Sequence, residues 1–172
     1  MDNFYSTTIR SLSIQFLETL YILDNSKTIE TIQSRIEFLE NVTDRLKNLN
    51  NNPDYQYSIQ LAIDDYSVRY FNRIPDEPDL SRLSSPHSFD LEAYCITSLI
   101  NGLKRYFEEQ LNEIELLKSN SSKEKRISKV LHNILSAKNY LQMKFSESIS
   151  YTTEIEEIEK MVTKMEKNHE TI

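Results

Sequence analysis

Apolar residues recur along most of the chain at steps of three and four, the spacing that places side chains on one face of an α-helix. The first stripe lies within residues 3–23 and the second within residues 28–48. The second stripe alternates these steps from Ile29 to Leu46, a pattern typical of a coiled-coil seam. An asparagine-rich run that ends in Pro53 follows it. The pattern therefore predicts two amphipathic helices and a firm stop after the second.

A third helix is predicted over residues 54–74, and tyrosines dominate its apolar face. The residues on that face are Tyr55, Ile59, Ala62, Ile63, Tyr66, Tyr70 and Ile74. Tyr57, Val68 and Phe71 fall elsewhere on the helical wheel. This helix is therefore either buried on two sides or carries an exposed aromatic strip.

Residues 74–88 contain three of the four prolines and predict a long, non-helical loop. The loop is acidic, and its only large apolar residues apart from Ile74 are Leu80 and Leu83. Two interpretations stay open at this point. The loop is either an exposed recognition segment built around these leucines or a plain connector.

The second half of the chain predicts a central helix over residues 89–118 and further helix after residues 119–122. A strict seven-residue step runs from Ile127 through Ser148 to Val162, so residues 123–165 form either one long helix or two. The fold prediction is all-α: an elongated antiparallel bundle of four to six helices with a long, coiled-coil-like C-terminal helix. Residues 1–172 are predicted to be a single domain, with residues 150–172 as a projecting helix.

Glycine scarcity supports the helical fold and excludes several kinds of chemistry. Gly102 is the only glycine among 172 residues. β-Sandwiches and doubly wound folds need frequent tight turns, and these depend on glycine. Glycine-rich phosphate-binding loops and the nucleophile elbow need several glycines close together. The sequence therefore excludes these phosphate-binding and nucleophile motifs.

Charge and cysteine content limit which classes of partner and which cellular compartments are expected. A formal net charge of −7 does not suit phosphate neutralisation, so nucleic acid is not expected as a partner. Cys95 is the only cysteine, which favours a reducing compartment. The longest apolar-leaning run without charge, residues 93–103, is about half the length of a membrane span. We therefore expect no membrane span and an intracellular protein, cytoplasmic or nuclear.

Candidate chemical sites are few. A Glu-x-x-His motif occurs at Glu166 and His169, whereas di-iron bundles need this motif twice. His132 has no carboxylate nearby on its helix, and Cys95 has no adjacent cation. The basic cluster that starts at Lys123 suits a solvated helix start. The sequence predicts no catalytic residue, no cofactor and no metal.

A binding role is the predicted function. The C-terminal stripe contains Ile155, Ile158, Val162 and Met165 and would be exposed on a projecting helix. Together with Leu80 and Leu83, these residues are the predicted interaction residues of a non-enzymatic protein–protein interaction or assembly subunit that acts through heptad-patterned helices. The partner would be another protein or a second copy, giving a homo-oligomer. The alternative is a small helical-bundle enzyme or ligand-binding protein that uses the tyrosine-rich face of the third helix.

Overall fold

A computed structural model describes residues 3–74, 77–87, 89–145 and 152–172. Helical residues make up 86% of the described chain, which contains no strand, so the prediction of an all-α bundle is confirmed. The described residues form seven α-helices, one more than the upper end of the predicted range. They are α1 (Phe4–Asn25), α2 (Ile29–Leu49), α3 (Tyr55–Arg69), α4 (Glu77–Ser84), α5 (Leu91–Leu116), α6 (Asn120–Lys144) and α7 (Thr152–Glu170), with a 3₁₀ turn at Phe71–Arg73 after α3.

The chain divides into two compact units. The N-terminal unit comprises Met1–Asn25 and Ile32–Leu91, and the C-terminal unit comprises Ser26–Thr31 and Glu92–Ile172. Most of α2 therefore belongs to the first unit and its first residues to the second. The assignment of residues 1–172 to a single domain stays a prediction.

In the N-terminal unit, α1 and α3 pack side by side and run in the same direction. Asn3 at the start of α1 donates to the Asp54 carboxylate before α3, and Glu18, further along α1, accepts from Tyr66. The stripe of α2 from Ile29 to Leu46 is buried, as are most stripe residues of α1, and in α3 the buried part is Tyr55, Ile59, Ala62 and Tyr66. Burial of these stripes is what stabilises the helices, since isolated helices of this length are marginal in water.

In the C-terminal unit, α6 runs antiparallel to α5. Arg126 near the start of α6 pairs with Glu113 near the end of α5, whereas Asn133 donates to Tyr106 one to two turns back. The short segment before α2 joins this unit, because the Ser26 carbonyl accepts two hydrogen bonds from Arg105 at 3.1 and 2.9 Å.

The long C-terminal helix of the prediction is not confirmed. Helix α6 ends at Lys144, where Phe145 has the non-helical dihedrals φ −116° and ψ 32°. Helix α7 packs back against α6 in the antiparallel direction, with Lys138 paired to Glu159 and Asn120 donating to the Ile172 carbonyl. Ser148, the weak point of the seven-residue step, lies outside the described residues.

The predicted loop 74–88 contains a helix, which corrects the sequence interpretation. Helix α4 spans Glu77–Ser84, although Pro78 is its second residue. Proline is tolerated in the first turn of a helix, where its missing N–H would have no partner in any case. Residues 75, 76 and 88 lie outside the described residues.

Candidate interaction surface

An exposed apolar surface of the N-terminal unit is carried by α3 and the turn that follows it. It consists of Tyr57, Val68, Phe71 and Ile74, which we call the α3 strip. Val68 is 84% exposed and Phe71 is 78% exposed, values unusual for residues of this size. The sequence left open whether α3 is buried on two sides or carries an exposed aromatic strip; in the structure Tyr57 and Val68 of α3 are exposed, as is Phe71 in the turn after it.

The helical spacing of α3 separates its two faces. Tyr55, Ile59, Ala62 and Tyr66 are buried, at steps of four and three. The outer face repeats the same steps through Tyr57, Leu61, Asp64 and Val68, of which only Leu61 is partly covered. The outer face therefore has the geometry of a helix-pairing seam.

A 3₁₀ turn that carries Phe71, followed by Ile74, comes directly after this helix. Tyr70 leaves helical geometry at φ −133° and ψ 49°, and its N–H donates to the Tyr66 carbonyl at 2.8 Å. The Arg73 N–H then donates to the Tyr70 carbonyl at 2.7 Å and closes one tight turn. The sequence analysis placed Tyr70 and Ile74 on the inner face, but both are exposed because the helix ends at Arg69.

A polar network holds this turn against α1. The Tyr66 hydroxyl donates to one carboxylate oxygen of Glu18 at 2.8 Å, and Arg73 donates to the other at 2.7 Å. The Arg73 guanidinium also lies 4.7 Å from the ring centre of Tyr21 and 5.2 Å from that of Tyr70. Charge-assisted hydrogen bonds and cation–π contacts fix both the position and the orientation of an arginine.

The same network bears on the alternative that the tyrosine face of α3 performs chemistry. Burial, together with the hydrogen bond to Glu18, raises the pKa of Tyr66 well above its usual value. The phenol therefore stays protonated at neutral pH and acts as a donor. Glu18 in turn uses both carboxylate oxygens as acceptors within the network. This arrangement suits an anchor for the turn, and an enzymatic or ligand-binding role for this face stays a prediction.

Tyr55 joins α3 to α4. Its side chain is buried, and its hydroxyl donates to the Leu83 carbonyl at 2.9 Å. Gln56 donates to the next carbonyl, that of Ser84, also at 2.9 Å. Two orphan carbonyls at the end of α4 are thereby satisfied. Burial raises the pKa of Tyr55 to about 12.

We expect the stability of the protein to fall as the pH rises through this range. Unfolded tyrosine ionises near pH 10, whereas folded Tyr55 retains its proton up to about pH 12. Its contribution is complete below pH 10 and is lost between about pH 10 and pH 12, since only the unfolded state releases the proton there. Urea unfolding measures the decrease in the free energy of unfolding between pH 9 and pH 11. We expect this decrease to be smaller in Tyr55→Phe than in the wild type, by about 1 kcal/mol or more. An equal loss in both proteins would contradict this assignment.

The predicted interaction residues of the C-terminal stripe are largely buried. Ile158 and Met165 are fully buried and Val162 is 9% exposed, whereas Ile155 is partly exposed. The expectation that this stripe is exposed on a projecting helix is therefore wrong. Helix α7 lies on α6, and its stripe belongs to the interior of the C-terminal unit. A part for these residues in association stays a prediction.

The two leucines of the predicted recognition loop lie on α4. Leu83 is fully buried and Leu80 is partly exposed. Arg82 between them stacks its guanidinium 5.0 Å from the ring centre of Phe89. The interpretation of this segment as an exposed recognition loop built on both leucines is therefore wrong, because α4 packs on α3 through Leu83.

The remaining chemical candidates are not brought together into a site. Cys95 is buried, while His132 and His87 are exposed. Within the described ranges, no group of three or more His, Cys, Asp or Glu residues is placed to hold a metal ion. The outer face of α7 carries an open depression of about 330 Å³, lined by Glu159, Lys160, Thr163, Lys164 and Lys167. All five come from one helix, so the depression is a surface groove.

Comparison of the chain with protein-family models, with curated proteins and with solved structures gives no match. Among the described residues, no helix is long and apolar enough to cross a membrane.

Proposed function

We propose that this protein is a non-enzymatic interaction or assembly subunit that binds a protein partner through the α3 strip. The proposal rests on the exposure of two large apolar side chains three residues apart, Val68 at the end of α3 and Phe71 in the 3₁₀ turn that follows. Contiguous exposed apolar surface marks interaction sites on folded proteins. The heptad-like spacing of the outer face of α3 suits a partner helix laid along it.

Rigidity supports the proposal. The turn that carries Phe71 is held by Arg73, which is bonded to Glu18 and stacked on two tyrosine rings. A surface fixed before binding loses little conformational entropy when a partner docks. Full burial of a phenylalanine or valine side chain contributes about 1.5–3 kcal/mol each. Two such anchors would supply much of the energy of a specific contact.

Location is part of the same proposal. A lone buried cysteine suits a reducing compartment, so we place the protein in the cytoplasm or the nucleus. The acidic surface implied by the net charge of −7 suits a protein partner rather than a nucleic acid.

Affinity capture from native cells tests the proposal. Phe71→Asp places a charge in the centre of the strip, and we expect it to reduce capture of Phe71-dependent partners, including untagged copies of the chain, at least about tenfold. Met143→Asp is the matched control, because Met143 is 81% exposed and lies on α6 in the other unit.

Both variants should keep the wild-type thermal unfolding midpoint, since surface substitutions usually change stability by less than about 0.5 kcal/mol. Equal capture by the wild type, Phe71→Asp and Met143→Asp would mean that the strip is not a binding surface.

A further inference from the structure

The outer face of α3 is complementary to itself. Its apolar residues Leu61 and Val68 are flanked by Asp65 and Arg69, which lie on one side of the helix and carry opposite charges. Asp65 and Arg69 form an ion pair of 3.1 Å within the helix, and their side chains remain 35% and 67% exposed. A charged pair this exposed is free to exchange partners at little cost.

The charge balance of this segment differs from that of the whole chain. Residues 55–74 contain Asp64, Asp65, Arg69 and Arg73, whose formal charges sum to zero, although Arg73 is already paired with Glu18 of α1. The complete chain has a net charge of −7, so two copies repel each other on average. The α3 strip combines exposed apolar side chains with a low local charge, so a contact through it adds little to the repulsion between two acidic molecules.

We propose that the partner of the α3 strip is a second copy of this chain, with the last turn of α3 and the 3₁₀ turn after it packed antiparallel against the same segment of the second copy, about a twofold axis near residue 67. This inference rests on the proposed function, because it names the occupant of the same surface. A twofold contact repeats every pairing twice. Asp65 of each copy faces Arg69 of the other, Val68 lies near the axis, and Phe71 reaches Leu61 of the second copy.

Sedimentation velocity of the purified full-length chain tests this arrangement. We expect a monomer–dimer equilibrium that shifts with concentration between about 1 and 100 μM, the range of modest homodimer affinities. Phe71→Asp should weaken dimerisation at least about 100-fold, and Met143→Asp should leave it unchanged. Val68→Lys gives a second test of the surface if circular dichroism shows that Phe71→Asp does not fold.

Charge exchange tests the antiparallel register. Asp65→Arg alone and Arg69→Asp alone each place like charges opposite one another and should weaken dimerisation. In an equimolar mixture, the two variants form a heterodimer with opposite charges at both positions, so dimerisation should return. The lost ion pair within each helix affects monomer and dimer alike, so it does not obscure this result.

A wild-type chain that stays monomeric throughout would overturn the second-copy proposal. Phe71-dependent capture of another protein from cells would then still support the proposed binding function, so the two failures are distinguishable. A dimer that is indifferent to both Phe71→Asp and Val68→Lys would also overturn it, and a mixture without restored dimerisation would overturn the antiparallel pairing.

Discussion

Ile158→Asp is expected to destabilise the C-terminal unit by several kcal/mol. The side chain is fully buried in α7, so the substitution places a carboxylate in the interior. An ionised group buried without a partner is among the most destabilising substitutions, and its cost exceeds the roughly 0.5–3 kcal/mol of a typical one. Chemical unfolding followed by circular dichroism measures the loss.

Thr163→Asp on the exposed face of the same helix is the matched control. It adds the same side chain to α7 where solvent screens the charge, and we expect a change within about 0.5 kcal/mol. If both variants were equally stable while association was lost in Ile158→Asp alone, the stripe of α7 would be an interaction seam, as the sequence first suggested.

Leu83→Ala is expected to cost about 2–5 kcal/mol, the range for leucine truncation in a packed interior. Leu83 is fully buried on α4, and its carbonyl accepts the hydrogen bond from Tyr55. Leu80→Ala on the same helix removes the same atoms from a partly exposed position, so its effect should be clearly smaller. Thermal and urea unfolding measure the loss of stability in each variant. Small and equal losses in both would mean that residues 77–84 are not packed and form the loop that the prolines predict.

The same packing changes what proteolysis should show. Arg82 lies within a helix and stacks on Phe89, so its backbone is not presented to a protease as an open loop would be. An open loop over residues 74–88 would be cleaved after this arginine, whereas helix α4 predicts protection there.

Periodicity predicted the long helices well because their stability depends on burying a continuous stripe. The stripe of α2 from Ile29 to Leu46 is buried as its spacing predicts, and the stop before Pro53 lies where the structure has it. The break after Lys144 could not be located this way. A seven-residue step continues equally well in one helix or in two that fold back on each other, so phase alone does not distinguish them.

Most features of the candidate surface that the sequence did not predict depend on contacts between residues far apart in the chain. Glu18 and Arg73 are separated by 55 positions, and nothing local in the chain pairs them. Helix α3 ends at Arg69, five residues before the predicted limit, and Tyr70 and Ile74 are therefore exposed. The aromatic-rich run from Tyr66 to Phe71 was the available signal, and it indicated the place without indicating which side chains face solvent.

The division of α2 between the two units makes this chain difficult to dissect. Residues Ser26–Thr31 belong with Glu92–Ile172, although about sixty residues of the other unit lie between them. A fragment cut after Leu91 would leave Arg105 without the Ser26 carbonyl and Glu109 without Lys27. No single cut yields two pieces that each contain one whole unit. Truncation libraries and fusion tags should therefore be designed around the intact polypeptide, because the C-terminal unit is completed by residues encoded within the N-terminal half.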